Sequence, residues 1–307
     1  MTMKTLTIMA ASPPPDTRPE GIAARKHIIT LLLDKGAAIN AQDKHGNTAL
    51  MQAAENGNAD TLKILLDRGA DLHIKNRAGL TAEAIATQSG RDEIAAILHQ
   101  AENHSENAGK RLALVDAVEQ GDVQKLRPLL DTGGDVNARD DAGETLLMKA
   151  AEQGRIPVMK RLLEHKADID AKSLQFGRET ALIRAAENGQ TEAVNLLLAK
   201  HADMTPYDEY DFSAMTRAIV SGHLSIVRAL IAHGANINAT NKLKITPLME
   251  AANYGKTAIV KLLLAHGAKI NARDRYGMSA LMMAQRNGFK ETAKFLVDKG
   301  ADTSGAK

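Results

Sequence analysis

Glycine recurs along the chain at Gly57, Gly90, Gly121, Gly154, Gly189, Gly222, Gly255 and Gly288, at intervals of 33, 31, 33, 35, 33, 33 and 33 residues. A fixed period of this length marks an array of stacked supersecondary units, each touching only its neighbours. A hydroxyl residue stands nine positions before seven of these glycines: Thr48, Thr81, Thr145, Thr180, Ser213, Thr246 and Ser279. Ser and Thr accept hydrogen bonds from the free amides of a helix start, and Gly adopts the left-handed backbone that ends one. Each pair therefore brackets a helix of about two turns.

A second apolar segment follows each glycine, as in Ile64–Leu66, NLLLA at 195–199 and KLLLA at 261–265. It closes at Gly69, Gly133, Gly234, Gly267 or Gly300, before short stretches such as GDVNARDDAG and AKINARDRYG. Each repeat thus reads as helix, turn, helix and hairpin-like loop. Helices of two turns do not persist alone in water, so the repeats must stack through small Ala faces and Leu ridges. The chain is expected to be an all-α repeat solenoid.

The segment TPLMEAANYGKTAIVKLLLAHGAKINARD, Thr246 to Asp274, closely resembles the ankyrin repeat, and TALMQAAENG and TALIRAAENG repeat its first half. The 33-residue period and the T-P-L-H-x-A signature belong to that family. Met51, Met148, Met249 and Met282 stand where the family has His, a change of packing character. The resemblance covers about residues 20–303 and implies an ankyrin-type solenoid of helix-turn-helix units with short hairpin-like loops.

Departures from the pattern locate boundaries. Lys166 and His201 occupy the helix-ending Gly position, and Asp211 and Lys244 replace the hairpin Gly seen at Gly46 and Gly277, which predicts looser loops there. Between Gly90 and Gly121, RDEIAAILHQAENHS lacks the usual loop and LALVDAVEQGD begins a repeat without a hairpin. The first resembles a terminal capping repeat and the second an opening one. The expected organisation is a disordered leader at 1–20, a first stack at 21–104, a joint at 105–111 and a second stack at 112–307. The alternative is a single stack with one damaged hairpin.

Composition removes several function classes. The net charge is +2 with no long run of one sign, which argues against a nucleic-acid or anionic-membrane surface. There is no Cys, so thiolate metal sites and cysteine nucleophiles are excluded. No apolar run is long enough to cross a bilayer. NYGKT at 253–257 ends like a phosphate loop, but Glu250 stands where its first Gly belongs, and the segment reads as helical. His165, His233 and His266 recur at one place in successive repeats, too far apart to converge on one metal. Catalytic residues, metal ligands and cofactors are all expected to be absent. Lys149, Arg184 and Arg217 share one helix position, with Glu152 and Glu187 three residues after the first two. They read as surface ion pairs along the helix, or else as a basic track for an acidic partner.

The chain has four Tyr, four Phe and no Trp, and their placement is uneven. Three residues before the caps stand His45, Ala78, Ala142, Tyr210, Leu243 and Tyr276; just before them stand Asn47, Leu80, Glu144, Glu179, Phe212, Ile245 and Met278. The loop tips turn apolar and aromatic from Phe176 onward, with Tyr207 beside them and Tyr254 at the end of an inner helix. The resemblance implies that hairpin tips and first helices line a concave groove that binds partner proteins. Aromatics there fit a contact stripe of Phe176, Tyr207, Tyr210, Phe212, Leu243, Ile245, Tyr254, Tyr276 and Met278. The competing account is that these side chains pack on neighbouring loops. The expectation is a non-enzymatic, monomeric, cytoplasmic module that binds a protein or peptide. Regulation of a cognate enzyme, or capture of a target by a secreted effector, is the alternative.

Overall fold

The structure is a computed structural model and describes residues 19–175 and 177–304. The leader expected over residues 1–20 lies outside the described residues, except for the start of a helix at Pro19. Among the described residues there are sixteen helices and no strand. The hairpin-like loops contribute two isolated antiparallel bridges, Arg139 with Thr145 and Tyr207 with Ser213.

Inner and outer helices alternate as the period predicts. Inner helices run Ala49–Glu55, Ala82–Gln88, Leu146–Glu152, Ala181–Glu187, Ala214–Ser221, Pro247–Asn253 and Ala280–Arg286. Thr48, Thr81, Thr145, Thr180, Ser213, Thr246 and Ser279 each accept a backbone N–H three residues on. The eight periodic glycines all have positive φ, from 63° to 85°. Met at the family's His position does more than fill space. Sδ of Met51, Met148 and Met249 lies 3.4, 3.4 and 3.5 Å from the N–H of its own cap residue. The thioether thus completes a weak capping box. His165, His233 and His266 each place Nδ1 2.9–3.0 Å from the carbonyl oxygen four residues earlier, so each ties off the end of its helix.

Repeats stack through Ala pairs on the inner helices (Ala53 and Ala54, Ala150 and Ala151, Ala185 and Ala186, Ala251 and Ala252) and Leu ridges on the outer ones, all of them buried. Leu263, placed on such a ridge by its phase, has no exposure. The chain divides into two compact units between Ala108 and Gly109. One hydrophobic core runs from Ile29 to Leu98 and a second from Leu114 to Ala301. Residues 105–111 are helical, within a 29-residue helix Asp92–Gln120 that gives Ile94 and Leu98 to the first core and Leu114, Ala117 and Val118 to the second.

Loops lacking the hairpin Gly close as the others do. Asp211 and Lys244 take φ of 68° and 60°, and their N–H groups bond Asp208 and Asn241 carbonyls at 3.1 and 2.9 Å, as Gly277 bonds Asp274 at 3.1 Å. The looser geometry expected there is not seen. The Asx residue at the loop start supports these loops: Asn241 Oδ1 accepts the N–H groups of Leu243 and Ile245, as Asp43, Asn76 and Asp274 each accept two in their loops, and Asp208 Oδ1 accepts that of Phe212. Such an Asx turn supports a left-handed residue that would otherwise cost about 1–2 kcal/mol.

Candidate binding surface

Hairpin tips of the second unit are joined by backbone bonds. Glu209 N donates to Gly177 O at 2.7 Å and Arg275 N to Leu243 O at 2.8 Å; Lys242 N donates to Asp211 Oδ2 at 2.7 Å. On this ladder Tyr210 is 65% exposed and Tyr276 75%. Leu243, Phe212, Ile245 and Met278 are half-buried, and Ile245 and Met278 pack against the core. Tyr254 is exposed but follows the far end of the Pro247–Asn253 helix. It stands about 10 Å along that axis from the tips, at 1.5 Å per residue. Phe176 lies outside the described residues. The expected stripe is therefore a row of tips carrying two exposed tyrosines, with a third tyrosine across the inner helix.

Tyr207 faces elsewhere. It is half-buried, burial pushes its phenol above the usual range, and it lines a cavity of about 260 Å³ with Met204, Met215, Ile245 and Pro247. Its position in other repeats holds a clamp: Gln42 Nε2 bonds Gly46 O and Lys75 O, and Arg139 Nη1 bonds Gly143 O and Lys172 O. A phenol ring cannot span two carbonyls, so this clamp is missing where Tyr207 replaces it.

Phe212 is not free either. The Arg217 guanidinium lies 4.9 Å from its ring centroid and 5.9 Å from that of Tyr210, within range of a cation–π contact. Arg217 also pairs with buried Asp208 at 2.6 Å, Glu187 at 2.9 Å and Glu179 at 3.3 Å. Burial opposes its charge, yet Asp208, Glu187 and Glu179 outweigh that and raise its pKa.

Arg217 ends a chain of such pairs across successive inner helices. Lys149 bridges Asp140 at 3.0 Å and Glu119 at 3.2 Å. Arg184 bonds Glu144, and its Nε faces Glu179 Oε2 at 2.7 Å, off the axis of a hydrogen bond. Burial pushes the Glu144 and Glu179 carboxyls above the usual range, and Arg184 offsets this only in part. At Asp140 burial acts upward too, but the Glu144 N–H and Lys149 prevail and lower it. Ion pairs do occupy these positions, but not those expected along the helix: neither Lys149–Glu152 nor Arg184–Glu187 forms. The partners come from loops and neighbouring repeats, up to 40 residues away in sequence. The three cations are internally matched and make no free basic track. The only sequence signal of this was an acid just before the cap at Glu144 and Glu179, exchanged for Phe212, Ile245 and Met278 in later repeats.

Among the described residues no group of three or more acidic or histidine side chains could hold a metal ion, and no helix is long and apolar enough to cross a membrane. A family model described as ankyrin repeats, in three copies, matches residues 21–108, 84–173, 114–208, 170–241 and 215–305. No curated protein matches the chain.

Proposed function

The chain belongs to the ankyrin-repeat family, and from that premise we propose that it is a non-enzymatic module gripping a protein or peptide with the inner-helix and hairpin-tip face of its second unit. Ankyrin repeats are generally protein–protein interaction modules. The observation that carries the finer reading is the exposure of Tyr210 and Tyr276 on adjoining parts of one tip ladder, in a chain with only four tyrosines. Large rings left in water on a rigid frame cost little entropy to immobilise, and tyrosine is enriched among residues that dominate binding. Phe212, Leu243, Ile245 and Met278 form the half-buried floor between them, and Tyr254 extends the surface along the inner helix. Tyr207 belongs to the wall of the neighbouring cavity and supports the loop from behind.

Affinity capture from the source cell tests this with three baits: the unaltered chain, Tyr210→Ala/Tyr276→Ala, and His45→Ala at the matching tip of the first unit. Quantitative mass spectrometry should find a discrete set of proteins depleted about tenfold or more by the tyrosine variant, as loss of an anchor predicts. His45→Ala should retain them. Equal recovery by all three baits rejects the assignment.

A further inference from the structure

We propose that Glu250 receives a cationic side chain, Arg or Lys, of the bound polypeptide. This rests on the reading above and names the chemistry that the surface selects.

Glu250 lies four residues after its helix cap, the position held by Lys149, Arg184 and Arg217 in the three preceding repeats. Those three are matched by carboxylates from fixed places. For Arg217 these are Glu179 before the previous cap, Glu187 seven residues after that cap, and Asp208 in its own loop. One repeat on, the same places hold Phe212, Val220 and Asn241. The charge at the centre has reversed, and no counter-charge has been supplied.

Glu250 is 6% exposed, and its carboxylate takes no hydrogen bond or ion pair from any described group. Its oxygens are nonetheless not closed off from solvent. A buried, ionised carboxylate without a partner is costly, and a hydrogen-bonded cation is what relieves it. The flanking surface favours a cation as well. Tyr254 follows by four residues on the same helix face and is exposed, offering a ring for cation–π contact. The protein already contains the arrangement one repeat earlier, where Arg217 sits against Phe212 and reaches its acids. A partner segment crossing from the Tyr210–Tyr276 tips toward Tyr254 would pass over Glu250. Its guanidinium or ammonium group would then complete the site.

Displayed random peptides selected on the unaltered chain, on Glu250→Gln and on Tyr210→Ala/Tyr276→Ala provide the test. The unaltered chain should enrich Arg or Lys at one position. Glu250→Gln should reduce that enrichment about tenfold or more, as loss of a charge-assisted bond implies, while apolar and aromatic preferences persist. Thermal melting of Glu250→Gln no lower than that of the unaltered chain shows that the fold is intact. Selection without a cation preference, or a preference that survives Glu250→Gln, overturns the role of Glu250 alone if the tyrosine variant still loses its peptides. Selection indifferent to the tyrosine variant overturns this inference together with the reading beneath it.

Discussion

Glu250 and Arg217 show how one position along a repeat can carry opposite charges with opposite consequences. Arg217 is held by three carboxylates and two rings, and its removal would leave Asp208 buried without a counter-ion. For Glu250 burial is the sole cause raising its carboxyl above the usual value of 4.5. The helices packed on its own carry Arg217, Lys261 and Arg286, but none of the three acts on the Glu250 carboxyl; Arg217 is committed to its acids and Lys261 lies 3.9 Å from Glu291. The folded chain therefore binds this proton more tightly than the unfolded chain does. Ionised Glu250 destabilises the fold above its raised pKa. That cost fades as pH falls through the raised value and is gone below the unfolded one. Glu250→Gln should accordingly melt higher than the unaltered chain at pH 7, with the difference shrinking by pH 4. A difference that is constant across that range, or that grows toward acid, would show that the carboxyl is not desolvated.

At the scale of helices and turns, the caps and glycines set where each element stops, and two glycines separate backbone strain from crowding. Gly255 has φ of 63°, and a Cβ there would lie 2.3 Å from the Phe289 ring; Gly288 has φ of 76° and nothing within 4 Å. Gly288→Ala should cost about 1–2 kcal/mol, the price of left-handed backbone. Gly255→Ala should cost a further 1–3 kcal/mol or so, as Phe289 is forced from its packing. Equal losses in chemical denaturation would mean that Phe289 moves aside freely. Elements of this kind were legible in the sequence because their signals are local: a hydroxyl, a glycine and a period. Phase also placed Leu263 and the Ala pairs in the core. Interactions between repeats were not legible. Arg184 meets Glu144 across 40 residues and Arg217 meets Glu179 across 38, while the nearer acids at Glu152 and Glu187 suggested a different pairing. The tips were legible as aromatic, but their division into exposed rings (Tyr210, Tyr276) and half-buried ones (Tyr207, Phe212) is set by the fold.

Across the whole chain, two hydrophobic cores are built from the same repeat but carry different surfaces. Tips in the first unit present His45 and Ala78, and those in the second present Ala142 and then Tyr210, Leu243 and Tyr276. Aromatic residues are confined to the unit beginning at Gly109, and this supports the proposal that partner binding belongs to that unit. The joint expected at 105–111 falls within the Asp92–Gln120 helix, where residues 103–109 are exposed and belong to neither core. We propose that the two cores behave as separate cooperative units on either side of it. The most direct test of the binding assignment is photo-crosslinking in the source cell from benzoylphenylalanine placed singly at Tyr210, Tyr276 and His45. Positions 210 and 276 should both capture the same polypeptide, and position 45 should capture none of it. Capture from position 45, or different polypeptides from 210 and 276, would contradict a single partner lying along the aromatic tips of the second unit.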